Sequence, residues 1–364
     1  MTGPFSLRMP AEVLFGMGIA GKVPEIVTRF GSRPFVVTGS RPAPFVLRDA
    51  VTWSVTGEPE IGIADEGARR CREAACDVVV GVGGGSVLDT AKASAVLACN
   101  EGEALDYLEG VGRGRVLERA SLPFIAVPTT AGSGSEATRN SVLRVPDLKV
   151  KRSLRSDFMI PRVAVIDPQL SASCPLPVAA SAGLDALTHL IEGYVSTGAQ
   201  ATTDALALRG IRLAGQGLLS LARGKQDVEA MALASFWGGI VLANAGLGAI
   251  HGLVAPLGGR CSVPHGMGCS CLLDATMETN IEALRARLPD SPALARYAEI
   301  HEALRDVPRL RDLRGDLGVP SLASFGLLKE DFPAIIAGSR AGSMNYNPIK
   351  LTDAELEGIL LESL

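Results

Sequence analysis

At 364 residues, with 47% hydrophobic and 20% charged side chains, the chain is globular rather than disordered and long enough for two domains. A formal net charge of −4, with no lysine/arginine run, excludes the basic surface that nucleic acid or an acidic membrane would require. The seven cysteines (Cys71, Cys76, Cys99, Cys174, Cys261, Cys269 and Cys271) are odd in number and scattered, which fits buried thiols rather than a disulfide framework.

The first ten residues lack the basic segment and apolar core of a signal peptide. No uninterrupted apolar run reaches the roughly 18 residues of a membrane span. A cytoplasmic protein with no membrane partner is expected. Short apolar runs then alternate with amphipathic stretches up to about residue 170, the pattern of a parallel sheet covered by helices. Residues 11 to 16 and 33 to 40 read as early strands, and 62 to 76 as a helix. Cys76 to Ser86 is an apolar strand running into the glycine turn Gly83-Gly84-Gly85, and residues 87 to 98 form an alanine-rich helix that Ser86 is placed to cap. Strand, glycines and helix start suit a pyrophosphate, because backbone amides can face the anion. The spacing is not the usual GxGxxG fingerprint. A second strand-turn-helix is expected at 123 to 138, where Thr129, Thr130 and Ser133 offer small hydroxyl-bearing side chains to another part of a nucleotide. Two such turns in one domain point to a dinucleotide.

After Asp167-Pro168 the strand signals stop and the chain reads as helices broken at prolines and glycines. The predicted domains are therefore 1–170, α/β and dinucleotide-binding, and 171–364, all-helical. The stretch from Val228 to His251 is apolar all round, as in a helix at the centre of a bundle. Within it Phe236 and Trp237 read as core rather than pocket. The chain has only four histidines, and three of them fall in two short motif regions, Gly183 to Glu192 and the His-Gly segments at 251 and 265. Asp185 and His189, four apart, share one helix face, and His251 and His265 each precede a glycine. One carboxylate and three imidazoles form a set suited to Fe2+ or Zn2+. Cys269-Ser270-Cys271 is too close for a zinc knuckle, and packing beside the His265 helix is expected of it.

These motifs, Gly83 to Lys92, Pro128 to Glu136, Gly183 to Glu192, the two His-Gly segments and Tyr346-Asn347-Pro348, resemble the iron-containing (group III) alcohol dehydrogenase family over nearly the whole length. The resemblance implies the dehydroquinate synthase-like fold: an α/β dinucleotide-binding domain, an all-α domain, and a site in the cleft between them. It implies that Asp185, His189, His251 and His265 ligate the ion and act catalytically through it. It places Gly39, Ser40, Gly83, Gly84, Gly85, Ser86, Asp89, Thr129, Thr130, Ser133 and Lys151 at the cofactor. It also implies an NAD- or NADP-dependent exchange between small alcohols and aldehydes or ketones, in a homodimer or larger homo-oligomer. The ion would serve as a Lewis acid on the substrate oxygen while hydride passes directly between carbons.

Two positions depart from the family pattern. Many members carry a further histidine four residues after the one matching His251, and here Ala255 stands there. Water, a cofactor ribose hydroxyl, Thr188 or His301 must then move the proton, although His301 reads as a solvated helix residue. NAD-preferring members place an aspartate at the end of the second strand, where this chain has Gly39, followed by Ser40 and Arg41. No carboxylate repels a 2′-phosphate there, and Ser40 with Arg41 could hold it unless Arg41 only faces solvent, so NADP is preferred over NAD. A maleylacetate-reductase-like enzyme is the nearest alternative. It would need cations for two carboxylates, for which Arg260 is the one suggestive residue. A dehydroquinate-synthase-type lyase or cyclase fits the ligand spacing less well, and a non-enzymatic binding protein would have little use for four ligands.

Overall fold

The computed structural model describes residues 4–261 and 263–364. The first three residues, on which part of the leader reading rests, lie outside the described residues. One compact unit spans Arg8–Cys174 and a second is built on Pro175–Leu364.

In the first unit the strands are β1 (Glu12–Phe15), β2 (Pro34–Thr38), β3 (Val51–Ser54), β4 (Val78–Gly83), β5 (Phe124–Pro128), β6 (Asn140–Val145), β7 (Val150–Arg155) and β8 (Val163–Ile166), and the helices are α1 (Val23–Thr28), α2 (Ile61–Glu73) and α3 (Gly85–Leu97). Six strands form one parallel sheet in the order β1-β8-β5-β4-β2-β3. β2, β4, β5 and β8 are buried along their whole length, which is why they read as unbroken apolar runs rather than alternating ones. Val78, Val80 and Val82 of β4 pack with Ile125 and Val127 on one face, and Val79 packs with Phe35, Val37 and Ala126 on the other. Each such fully buried side chain contributes about 1.5–3 kcal/mol. At Gly81 a side chain would meet Ala91, Leu88 and Phe124 at 3.1 Å, so glycine is what lets α3 settle onto the sheet.

Two expectations are corrected here. α3 begins at Gly85, after the N-cap residue Gly84, and no side chain caps it. Ser86 instead sits in the first turn, where its carbonyl accepts a hydrogen bond from Thr90 Oγ1 at 2.9 Å. The helix expected after β5 is a three-residue turn, Ser135–Ala137, that leads into the antiparallel hairpin β6–β7. The carbonyls of Ser135, Thr138 and Asn140 point at Lys92 Nζ from 2.7, 3.2 and 2.9 Å, and so are unavailable to a helix ladder.

The second unit holds α4 (Leu176–Val195), α5 (Ala201–Ala222), α6 (Val228–Ala245), α7 (Ala249–Leu257), α8 (His265–Arg287), α9 (Pro292–Ala303), α10 (Leu310–Asp316), α11 (Phe332–Ser339) and α12 (Asp353–Glu362). Among the described residues it contains no strand. α4, α5 and α6 pack together around Leu184, Leu187, Leu190, Ile211, Leu218 and Val241. α6 is long and apolar enough to cross a membrane by length and composition, and half of it is buried within this bundle. The apolar stretch 228–251 is thus two helices and not one, broken at Gly246, whose φ of 72° favours glycine. Phe236 is buried and Trp237 packs against the same core, as expected.

Candidate functional site

α4 carries Asp185 and His189 one turn apart, α7 carries His251 as its third residue, and α8 opens on His265. These three helices bring all four side chains together. Asp185 Oδ1 lies 3.8 Å from His189 Nε2, 3.7 Å from His251 Nε2 and 3.9 Å from His265 Nε2. The His189 and His251 rings stack with centroids 4.7 Å apart, and His265 is tilted against His251 at 5.4 Å. Asp185, His189 and His251 are buried, while 47% of the His265 side chain is exposed, so the cluster opens toward solvent on that side.

Local sequence explains each placement. At the start of α7 the amides of Ile250 and His251 donate to the Glu192 carboxylate at 2.7 and 3.4 Å, and the amide of Ala249 donates to Asn347 Oδ1 at 3.1 Å. These are the amides that a helix N-terminus leaves without internal acceptors. A side chain at Gly248 would strike both Glu192 and Asn347 at 2.8 Å. Gly266 similarly lets α8 begin against Ser181 of α4, where a Cβ would lie 2.3 Å from the Ser181 carbonyl. Ser181 is one helical turn before Asp185, so this close approach sets His265 beside the carboxylate.

Glu192 does more than cap. His251 Nδ1–H donates to Glu192 Oε2 at 2.6 Å, which orients the ring and leaves Nε2 as the nitrogen facing Asp185. Burial would push the Asp185 carboxyl up, but the imidazoles of His189, His265 and His251 outweigh it and hold the group well below the usual range. Burial favours neutral His251, and its neighbours Cys269, Asp185 and Glu192 together push its pKa well above the ordinary value. Although buried, Asp185 Oδ1 has no hydrogen-bond partner among the described residues. A buried carboxylate oxygen facing three imidazole nitrogens suits a divalent cation, and the donor set fits Fe2+ or Zn2+.

Three residues here escaped the sequence reading of the site. Glu192 and Asn347 lay inside quoted motifs without being given a role. Cys269, assigned to packing, has its Sγ 3.6 Å from His251 Nε2. One ligand atom each from Asp185, His251, His265 and Cys269 lies within 4.8 Å of the others. The His265-x3-Cys269 spacing repeats that of Asp185-x3-His189, and was the available signal. Cys271 does pack, its thiol donating to the Pro320 carbonyl at 3.2 Å.

The proposed cofactor residues gather at the carboxyl ends of adjacent strands. Gly39 and Ser40 follow β2, Gly83, Gly84, Gly85 and Ser86 join β4 to α3, and Thr129, Thr130 and Ser133 follow β5. A methyl group on Gly84 would come within 3.1 Å of Thr130 Oγ1, and one on Gly85 within 2.8 Å of Ser133, so the two turns pack directly on each other. Asp89 and Lys151 have partners within the unit. The Asp89 carboxylate accepts from Ser135 Oγ at 2.6 Å and from the Val142 amide at 2.8 Å, and Lys151 pairs with Glu58. Arg41 is exposed, and its guanidinium donates to the Ser173 hydroxyl and carbonyl. Thr188 is fully buried and donates to the Leu184 carbonyl at 2.8 Å, and His301 is exposed on α9, so neither stands in for the histidine missing at Ala255. Arg260 faces Asp331 at 3.6 Å.

Residues 10–168 match the family described as iron-containing alcohol dehydrogenase, and residues 179–364 match the C-terminal region of the Fe-containing alcohol dehydrogenase family. The long-chain-alcohol dehydrogenase 1 of Geobacillus thermodenitrificans is 35% identical over 84% of this chain and 79% of its own. A solved structure of 1,3-propanediol oxidoreductase superposes with a TM-score of 0.86 at 28% identity, covering 100% of both chains. The sulfoacetaldehyde reductase of Bifidobacterium kashiwanohense, solved in complex with NAD+, gives a TM-score of 0.84 at 27% identity over 99% of both.

Proposed function

The chain belongs to the iron-containing alcohol dehydrogenase family, and from that premise we propose specific roles for its residues. It is an alcohol/aldehyde oxidoreductase with a candidate metal site at Asp185, His251 and His265. In the proposed arrangement Asp185, His189, His251 and His265 hold the ion, residues 171–364 also receive the substrate, and residues 1–170 bind the dinucleotide. The observation that carries this reading is the Asp185 carboxylate, buried, without a hydrogen bond on Oδ1 among the described residues, and facing three imidazole nitrogens.

Once bound, the ion supplies Lewis acidity toward a substrate oxygen, and the dinucleotide supplies or accepts hydride. The protein's share is orientation and charge. Glu192 orients the His251 ring, and the half-exposed His265 marks the solvent side from which a small alcohol or carbonyl compound enters. With Ala255 unable to carry a proton, we assign that transfer to water or a cofactor ribose hydroxyl. The absence of a carboxylate at Gly39 supports NADP over NAD, with Ser40 the polar group beside it for the 2′-phosphate, while the Arg41 guanidinium donates to Ser173. NAD binding by the sulfoacetaldehyde reductase keeps NAD as the alternative. Seven free thiols suit a reducing compartment, which supports a cytoplasmic location. A homodimer or larger homo-oligomer is proposed on the family resemblance.

The unsaturated-oxo-acid reading loses its support at Arg260, which is paired with Asp331. Metal content of the untagged protein tests the main proposal, measured by mass spectrometry on wild type beside His251→Ala. The expected result is about one Fe or Zn per wild-type chain, lost in the variant, with aldehyde-dependent oxidation of NADPH faster than of NADH. A wild type that neither contains nor takes up either metal would overturn it.

A further inference from the structure

We propose that Cys269 Sγ is a ligand of the divalent ion in the substrate-free enzyme, so that the centre is a mixed carboxylate, imidazole and thiolate site. This rests on the metal reading above and extends it to a residue outside the Asp/His set.

Three observations point to it. Cys269 follows His265 by one turn of α8, so both side chains lie on the same face of that helix. Its Sγ is fully buried and 3.6 Å from His251 Nε2, the ring nitrogen that the Glu192 contact turns inward. The donor atoms of Asp185, His251, His265 and Cys269 lie within 4.8 Å of one another, a grouping that does not include His189. Ordinary zinc bond lengths of about 2.3 Å to sulfur and about 2.05 Å to nitrogen, at a tetrahedral angle, separate the two ligand atoms by about 3.6 Å. The second, independent mark of a ligand is the buried Asp185 Oδ1, which has no hydrogen-bond partner among the described residues and belongs to the same group of donor atoms.

Binding breaks the Sγ–H bond as the sulfur–metal bond forms, and the proton passes to solvent. Two anionic ligands then neutralise the dication, where the Asp/His set alone leaves a formal +1. A soft thiolate also biases the choice of ion. It favours Zn2+ or Co2+ over Fe2+ beyond the difference that imidazole and carboxylate impose.

The test uses the whole chain loaded with Co2+, read by metal content and by electronic absorption. The expected spectrum has the visible bands of protein-bound cobalt together with a near-ultraviolet sulfur-to-cobalt charge-transfer band. Cys269→Ser and Cys269→Ala should lose the near-ultraviolet band while retaining the visible ones, and Cys271→Ser should keep both. In competition, Cys269→Ser should also lose about 10-fold or more of the preference for Zn2+ over Fe2+. Bound cobalt with visible bands but no sulfur band in wild type would overturn the proposal and leave the metal reading standing. A sulfur band that survives in both Cys269 variants would overturn it too. Wild type that takes up no metal would sink both readings, and the wild-type spectrum needs no variant to fold.

Discussion

Each unit of this protein buries a charge, and the two are treated in opposite ways. In the α/β unit the Lys92 ammonium is fully enclosed and surrounded by five oxygen acceptors within 3.2 Å: the Ser135 carbonyl and hydroxyl, the Thr138 carbonyl and hydroxyl, and the Asn140 carbonyl. Ser135 in turn donates to Asp89, so the charge ends in a closed local network. In the helical unit the Asp185 carboxylate is also buried, yet its Oδ1 has no hydrogen-bond partner among the described residues. A saturated buried charge holds the polypeptide's own loops in place. An unsaturated one carries a desolvation cost that its histidine neighbours offset only across 3.7 to 3.9 Å, with no hydrogen bond on Oδ1 among the described residues, and so keeps an oxygen open to a ligand. By this criterion Lys92 is structural and Asp185 awaits a ligand.

The sharpest way to break the contrast is Lys92→Met. It leaves three carbonyls and the Asp89 carboxylate without their cation and should destabilise the chain by about 3–5 kcal/mol, measured by urea unfolding of the α/β unit's transition. A loss below about 1 kcal/mol would show that the network is not structural. A second measurement concerns Glu136, buried beside Lys92, whose carboxyl burial raises from 4.5 to about 7, with the Lys92 charge opposing. Between those pH values the folded chain keeps a proton that the unfolded chain has released. The contribution of Glu136 to stability is thus greatest at low pH and declines as pH rises toward 7. Relative to Glu136→Gln, the wild type should lose on the order of 1 kcal/mol or more between about pH 4.5 and about pH 7. Equal slopes in the two proteins would refute the raised carboxyl. A smaller effect than that of Lys92→Met is expected at the open charge. Asp185→Asn should abolish uptake of the ion, and should destabilise the metal-free chain by less than Lys92→Met because the lost charge faces its imidazoles across 3.7 to 3.9 Å rather than through a hydrogen bond on Oδ1. If it destabilised the metal-free chain as much as Lys92→Met, the two charges would be equivalent and the distinction would fail.

The parts legible in the sequence were those set by local pattern. Unbroken valine runs gave the buried strands, Gly83-Gly84-Gly85 gave the turn into α3, and Asp185-x3-His189 gave one face of α4. What was not legible depended on partners far along the chain. Ala131 to Thr138 carries small residues and a glutamate that suggest a capped helix. Its carbonyls are instead drawn to Lys92, 43 to 48 residues earlier. The apolar stretch before His251 has no charged residue to mark an end. Its break at Gly246 is stabilised beyond the glycines by Glu192 and Asn347, which receive the amides of the next helix. Arg41 gave no sign of its partner Ser173, which lies 132 residues away. Cys269 was a different failure. Its spacing from His265 was in view, but a cysteine in an apolar helix is usually packing.

The tether between Asn347 and the start of α7 also orders the protein's biosynthesis. Asn347 is itself held by a pair of side-chain amides with Asn280, at 2.7 and 3.3 Å, and by the Ile349 carbonyl at 2.8 Å. On a ribosome the α/β unit can fold while later helices are still being made. The pocket around Asp185 reaches its finished shape only after residue 347 has emerged. An ion bound at this candidate site would accordingly be loaded only after residue 347 has emerged, later than the α/β unit can fold.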